Sequence, residues 1–219
     1  MKQDCTLLWL ISGLLLLVLG CSPDKPENNT PLPFFNEADF TPLWLDSDDP
    51  SYQNLHTIPD FSLTDQNNQL VTENDLKGKI YVANFFFTLC PSICPKMTSN
   101  LDLVREAFQK DQEIAFISHS VMPWVDSVEV LKKFAVDKNV NYPQWHFVTG
   151  EKEEIYELAR SGYFADRAIG TSDESKEFIH TENCILVDKE GRIRGVYNGT
   201  LPLEMRRLIA DIHSLKRFG

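Results

Sequence analysis

The sequence predicts an α/β fold in which a largely parallel sheet carries helices on its faces, with an N-terminal extension and an added β-hairpin. Three observations predict this class. Residues 80–87 are nearly all apolar, β-branched or aromatic, as expected of a central strand buried on both faces. Strands and amphipathic helices then alternate along the chain, which is typical of parallel crossovers. Two short strands near the end flank a turn at 189–191, which indicates a hairpin.

Each predicted element rests on its own local pattern. Strands are assigned to short alternating or β-branched runs, and helices to apolar residues spaced three or four apart. The predicted strands are 58–63, 69–71, 80–87, 113–118, 145–148, 181–187 and 192–197. The predicted helices are 95–108, 127–138, 151–161 and 202–215. This order of crossovers, hairpin and final helix describes a thioredoxin-like sheet, whose active sites lie at the carboxyl ends of strands.

The composition fits one folded domain with appendages. The chain has 219 residues, of which 42% are hydrophobic and 24% are charged, so it can bury a core without disulfides. Lys and Arg number 21 against 32 Asp and Glu, which gives a formal net charge of −11. Such a surface repels phosphate backbones and argues against a nucleic-acid binder. It leaves metal ions and cationic partners open.

The first twenty residues resemble an export signal. An apolar run from Leu7 to Leu19 is shorter than the roughly 20 residues of a membrane-spanning helix. It ends in Val-Leu-Gly-Cys, which resembles a bacterial lipoprotein box with Cys21 as the lipidated residue. The sequence therefore predicts a signal peptide at 1–20 and an exported lipoprotein, anchored in a membrane and facing the periplasm or the cell exterior. An uncleaved anchor and an ordinary signal peptide are the alternatives.

A polar, proline-rich segment follows the signal. Its composition predicts a solvated tether over residues 21–50, joined to a folded domain over 51–219. Four aromatic residues are exceptions that we expect to fold back onto the domain as an N-terminal extension: Phe34, Phe35, Phe40 and Trp44.

The number and spacing of the cysteines limit the kinds of site that the folded domain can carry. Cys5 leaves with the signal, and the folded domain keeps Cys90, Cys94 and Cys184. An exported domain lies in surroundings that permit disulfides, so two cysteines close in sequence form a redox pair, a metal site or both. Cys184 is expected to be a buried core thiol.

Cys90 and Cys94 lie between the predicted central strand and its helix. If Cys94 is in the first helical turn, both sulfurs share one face and the Cα atoms are about 6 Å apart, within disulfide range. A helix N-terminus favours the thiolate, and two thiolates make half of a Cu(I) or Zn(II) site. A purely structural disulfide is the alternative.

Two segments resemble the Sco/SenC family of copper chaperones over roughly residues 55–215. Residues 84–97 read NFFFTLCPSICPKM, and residues 178–192 read FIHTENCILVDKEGR, a histidine opening a strand that ends in Asp-x-x-Gly-Arg. The resemblance implies a thioredoxin-like fold that binds copper, as Cu(I) or Cu(II), through Cys90, Cys94 and His180. It implies a metallochaperone that delivers copper to the binuclear centre of cytochrome c oxidase subunit II, or reduces the cysteines of that centre. We expect a monomer, with a thioredoxin-like reductant for its Cys90–Cys94 disulfide.

The chain departs from the family pattern at two places. Many members have an acidic residue where this chain has Ser92, and an Asp-Pro pair is replaced within residues 119–123, which read HSVMP. His119 is a candidate accessory ligand, or a group supporting one, because it ends the neighbouring strand. Met97 is expected in the core, and the role of Met122 stays open.

Two other functions compete with the copper chaperone. Cys90 and Cys94 also suit a membrane-tethered thiol–disulfide oxidoreductase or a thiol peroxidase, for which Thr88 is an available hydroxyl. An interaction module with only a structural disulfide is the third hypothesis. His180 distinguishes the first function from the second, because a dithiol redox enzyme does not need it. Enzymatic activity beyond the chaperone role is left open.

Overall fold

The computed structural model describes residues 30–165 and 181–219, and within them the predicted thioredoxin-like α/β fold is confirmed. The strands are β1 (Phe34–Phe35), β2 (Pro42–Leu43), β3 (Ser62–Asp65), β4 (Leu70–Thr72), β5 (Ile80–Phe86), β6 (Ile114–Ser120), β7 (Trp145–Thr149), β8 (Asn183–Val187) and β9 (Ile193–Asn198). The helices are α1 (Glu73–Leu76), α2 (Ile93–Ala107), α3 (Val128–Asp137), α4 (Lys152–Glu157) and α5 (Pro202–Phe218).

The described part of the chain forms a seven-stranded sheet in the order β4-β3-β7-β6-β5-β8-β9. Strands β5, β6 and β7 pair in parallel, and the remaining pairs are antiparallel. The parallel centre follows from the α2 and α3 crossovers, and the antiparallel edge from the hairpin β8–β9. Every residue of β5 is buried, which explains its nearly continuous apolar run.

The sheet separates two hydrophobic layers, because alternate residues of each strand point to opposite faces. On one face Val82 and Phe86 pack with the helices α2, α3 and α5. On the other face Ala83 and Phe85 pack with α1, α4 and the segment before β3. The central strand is therefore covered on both sides, and its carboxyl end is held between the two layers.

Residues 30–35 pack against the sheet edge, which differs from the solvated tether predicted for 21–50. Leu32 and Phe34 are buried. The Arg194 guanidinium, on β9, donates to the carbonyls of Leu32 and Pro33 at 2.6 and 3.0 Å. Trp44 remains exposed, so only part of the predicted aromatic extension is buried. The folded unit thus includes residues before the predicted boundary at 51, because apolar side chains in this proline-rich stretch cover the edge of the sheet.

Several element boundaries differ from those that the sequence predicts. The first sheet strand begins at Ser62 rather than 58, since Pro59 has no amide donor and the Ile58 amide bonds to the Gly191 carbonyl instead. The helix predicted at 151–161 ends at Glu157 and continues as a π turn over Leu158–Gly162. The ribbon β1–β2 and the single turn α1 were not predicted, because elements this short carry no readable period.

Some predicted features lie outside the described residues. They are the signal peptide at 1–20, Cys21, the polar loop at 172–177 and His180. In residues 30–165 and 181–219, none of the helices combines the length and apolar character needed to cross a membrane.

Candidate dithiol and metal centre

Cys90 and Cys94 lie at the carboxyl end of the central strand. Strand β5 ends at Phe86, a short loop carries Cys90, and Cys94 is the second residue of α2. Pro95 follows in the first turn of α2, where the missing amide hydrogen costs no intrahelical bond. The structure therefore brings the predicted cysteine pair together between strand and helix.

The two cysteines are in direct contact. The Cys94 amide donates to the Cys90 sulfur at 3.4 Å, and the amide of Cys90 closes a turn by donating to the Phe87 carbonyl at 3.3 Å. Both side chains are buried, and both are free thiols. Both sulfurs lie on the face that packs against α2 and α5. This pair can form a disulfide or present two sulfur ligands to one metal ion.

The local structure shifts the pKa values of the two thiols in opposite directions. Burial by itself raises the pKa of Cys90. Its sulfur, however, accepts hydrogen bonds from the backbone amides of Cys94, Ser92 and Ile93 and from the Cys94 side chain, and these bonds bring the pKa of Cys90 below its usual value. Burial raises the pKa of Cys94 to about 12, and the neighbouring Cys90 adds to that shift. Cys90 is therefore the thiol that deprotonates first, and Cys94 keeps its proton as a donor to Cys90.

The third predicted ligand, His180, lies outside the described residues, so its place relative to the cysteines stays a prediction. Residue 184 of β8 pairs with Asn84 of β5, which shows that β8 enters the sheet near the end of β5 that leads to the dithiol. Within residues 30–165 and 181–219, no group of three or more His, Cys, Asp or Glu side chains could hold a metal ion. Two soft sulfur donors nevertheless fit Cu(I), which accepts low coordination numbers and thiolate ligands.

The structure does not bring His119 to the cysteines. Its ring is buried on the opposite face of the sheet, stacked on Phe85 at 4.8 Å between ring centroids. Burial lowers the pKa of His119 to about 3, against a partial opposing effect of the Asn84 carbonyl. This neutral histidine belongs to an aromatic cluster that includes Tyr163.

The other candidate sulfur atoms are part of the core. Cys184 is fully buried, and burial raises the pKa of its thiol to about 12. A Cβ atom on Gly199 would stand 2.6 Å from the Cys184 sulfur, so the glycine allows this close approach. Met97 is also buried in the layer under the dithiol, as expected of a core residue.

A buried carboxylate beside the dithiol loop was missed by sequence reasoning. Asp126 is fully buried, and it accepts hydrogen bonds from the Thr88 amide and hydroxyl and from the Ser120 hydroxyl. In the sequence it is one of 32 acidic residues and lies in a loop, so no local pattern marks it as buried. In the sequence, only the replacement of the family's Asp-Pro pair within residues 119–123 drew attention to the loop that holds Asp126.

Comparison with known proteins places these motifs in a family. The profile of the family described as SCO1/SenC matches residues 49–217. The SCO1 protein homolog of Bacillus subtilis (strain 168) is 32% identical over 162 residues, which cover 73% of this chain and 82% of that protein.

Solved structures agree with that match. One is of BsSco, a member of the Sco family of cytochrome c oxidase assembly proteins, in which a disulfide switch was identified. It matches with a TM-score of 0.61 and 30% identity, and the match covers 75% of this chain and 95% of that chain. Another is Bradyrhizobium japonicum ScoI with copper bound, at a TM-score of 0.58 and 28% identity, covering 73% of this chain and 99% of that chain. With the dithiol at the same junction of strand and helix that the family motif predicts, the chain belongs to the SCO1/SenC family.

Proposed function

We propose that this protein is a copper-binding chaperone of cytochrome c oxidase assembly. It binds copper through Cys90, Cys94 and His180 and delivers it to the binuclear copper centre of subunit II, or reduces the cysteines of that centre. The observation that carries this proposal is the buried pair of free thiols in direct contact at the start of α2. The copper named for ScoI and the oxidase assembly named for the BsSco family support it.

The unequal acidities of the two thiols suit reversible copper loading. Copper is the cargo, and its binding requires that both sulfurs lose their protons. Cys90 loses its proton more readily, so it is the sulfur that captures the ion first. Cys94 releases its proton only as the metal arrives, because its pKa in the metal-free protein is about 12. Binding therefore releases protons, and the apparent copper affinity should rise with pH.

The first prediction concerns the ligand set. Reduced protein beginning at Ser22 should bind one tight equivalent of Cu(I) in anaerobic competition with a chelator. Cys90→Ser and Cys94→Ser should each abolish tight binding, because one soft thiolate is lost, and His180→Ala should weaken it. Cys184→Ala is the matched control, and it should retain the full equivalent because its sulfur is enclosed in the core.

Retention of tight copper by either serine variant would contradict the dithiol site. Unchanged copper retention and delivery in His180→Ala would remove the histidine from the ligand set. Absence of tight copper binding, together with a readily cycled Cys90–Cys94 disulfide, would favour the second candidate function.

That second candidate is a thiol–disulfide oxidoreductase, and the acidity difference favours it. A thiol that deprotonates first can attack a disulfide, while a protonated neighbour later resolves the mixed disulfide. The structure argues against a thiol peroxidase. The Thr88 hydroxyl donates to Asp126, so its proton is directed to that carboxylate rather than to Cys90.

We also propose that the protein is exported and held at a membrane by lipid on Cys21. The proposal rests on the short apolar run and the Gly-Cys junction that follows it. Anchoring would keep the dithiol domain near a membrane-bound oxidase and near a thioredoxin-like reductant in the same compartment.

A further inference from the structure

The loop that carries Cys90 is attached to the neighbouring strand through one buried carboxylate. Asp126 accepts the Thr88 amide at 3.1 Å and the Thr88 hydroxyl at 2.5 Å. Its Oδ2 atom also accepts the Ser120 hydroxyl at 2.6 Å. Ser120 is the last residue of β6, and Thr88 is two residues before Cys90. One side chain therefore joins the ends of two parallel strands at the edge where the dithiol lies.

The loop that bears Asp126 is itself well held. The amides of Val125 and Asp126 donate to the Met122 carbonyl at 2.8 and 2.9 Å. The Met122 amide donates to the Ser120 hydroxyl at 3.2 Å. The carboxylate thus projects from a closed turn, and that turn is anchored on β6.

Asp126 is paired with hydroxyl and amide groups in the described part of the chain, not with a basic side chain. A buried carboxylate without a cation depends on such donors, and each bond to it is stronger than one between neutral groups. Its removal would take away the acceptor of the Thr88 amide, which lies in a half-buried part of the loop. This geometry ties the Thr88 backbone, and with it the start of the dithiol loop, to the loop that follows β6.

We propose that Asp126 is the positioning residue of the dithiol. By fixing Thr88, it closes the turn in which the Cys90 amide meets the Phe87 carbonyl, and it thereby places the Cys90 sulfur at the Cys94 amide. The proposal rests on the dithiol chemistry proposed above and adds a residue that touches neither the metal nor the sulfurs. It means that the pairing of Cys90 with Cys94 is set by the loop that follows β6.

The test is the thiol–disulfide equilibrium of the protein with glutathione. In this exchange Cys90 and Cys94 lose two electrons and two protons and form one S–S bond, while one glutathione disulfide becomes two glutathiones. The equilibrium constant measures how well the fold preorganises the two sulfurs. Asp126→Ala should lower it about five- to tenfold, because a Thr88 backbone that is no longer held lets the two sulfurs move apart in the reduced protein.

Two further variants separate positioning from general destabilisation. Thr88→Val keeps the shape but removes the hydroxyl, and it should lower the constant less; combined with Asp126→Ala, it should add little, because both act through the same bonds. Asp211→Ala is the matched control. Asp211 is also buried and accepts the Tyr197 hydroxyl at 2.7 Å, with the Arg207 guanidinium 3.7 Å away. It lies on α5, and these two partners lie on β9 and α5 rather than in the dithiol loop, so its removal should leave the constant unchanged.

An unchanged constant in folded Asp126→Ala, or an equal decrease in Asp211→Ala, would overturn the proposal. Amide hydrogen exchange over residues 87–95 gives a second readout that needs no disulfide. It should be faster in Asp126→Ala than in the unaltered protein or Asp211→Ala. If the unaltered protein forms no disulfide, the proposed thiol chemistry fails, and the exchange rates alone decide whether Asp126 holds the loop.

Discussion

His119 shows how a single residue can make stability depend on pH. Its ring is buried between Phe85 and Tyr163, and its Nε2 atom has no hydrogen-bond partner in the described part of the protein. Burial lowers the pKa of His119 from 6.5 to about 3 and raises that of Tyr163, so both rings are neutral in the folded protein. The unfolded chain binds a proton at His119 below pH 6.5, whereas the folded protein does not. Stability from the neutral ring is present above pH 6.5 and is lost as the pH falls toward 3.

His119→Phe should therefore make the free energy of unfolding less sensitive to acid. Between about pH 6 and 4 the unaltered protein should lose up to about 1.4 kcal/mol per pH unit more than the variant. Urea unfolding at a series of pH values measures this difference. His213→Gln replaces an exposed histidine and serves as the control. If the free energies of unfolding of His119→Phe and the unaltered protein changed in parallel with pH, His119 would take up its proton in the folded protein as readily as in the unfolded chain, which would contradict the prediction.

At the scale of elements, the segment from Thr30 to β1 is part of the domain. The Phe34 ring lies 3.9 Å from the Arg194 guanidinium and meets Tyr52 edge-on at 5.6 Å. The Ser214 hydroxyl of α5 donates to the Thr30 carbonyl at 2.7 Å. These contacts join the N-terminal segment to both β9 and α5, so it contributes to the stability of the sheet edge.

Phe34→Ala should lower the free energy of unfolding by about 3 kcal/mol, because it removes a buried ring and leaves a cavity under Arg194. Leu43→Ala, on the exposed strand β2, is the control and should cost about 0.5 kcal/mol or less. Guanidinium unfolding of both variants gives the two values. Equal small effects would mean that the N-terminal segment is detached from the domain in solution.

At the scale of the whole molecule, the N-terminal attachment and the dithiol lie at opposite ends of α5. Thr30 is bonded to Ser214, near the end of this helix of 17 residues, which is about 25 Å long. Gly199, just before α5, packs against Cys184 and Met97 below the dithiol. The described chain therefore begins at the C-terminal part of α5, whereas the residues below the dithiol pack at its N-terminal end.

Cys21→Ser should abolish lipidation of the protein and leave the apolar run 7–19 uncleaved, because Cys21 is the residue that carries the acyl chains and becomes the new N-terminus. Fractionation of cells followed by mass spectrometry of the N-terminal peptide measures this. Cys5→Ser, within the predicted signal, is the control and should leave the protein in the membrane fraction with a lipidated N-terminal peptide that begins at Cys21. An N-terminal peptide of the unaltered protein that carries no acyl chains would indicate an uncleaved anchor or an ordinary signal peptide instead.

Most elements of the sheet and its helices were predictable because their signals are local. Strand β5 carries a continuous apolar run, and α2 keeps apolar residues at helical spacing after Pro95. The position of the dithiol followed from the same two patterns. The late start of β3 was not predictable, because it depends on a bond between Ile58 and Gly191, which are distant in sequence.

The site itself was predicted only in part. Cys90 and Cys94 were identified from their spacing, and the family resemblance added His180, whose placement stays a prediction. Asp126 was missed because burial, not residue type, distinguishes it from solvated acids. We expected His119 to lie at the same sheet edge as the cysteines. Strand β6 does end beside β5 at that edge, but the His119 side chain points to the face of the sheet opposite the cysteines.

The sequence by itself determined the class of fold, the order of its main elements and the cysteine pair at the end of the central strand. Those features depend on periodicity and spacing within about 15 residues. Only the tertiary structure decided the opposite acidities of Cys90 and Cys94, the neutral state of His119 and the bond between Thr88 and Asp126. The physical reason is that desolvation and hydrogen bonds depend on which groups meet in space, and Thr88 and Asp126 are 38 residues apart in the chain.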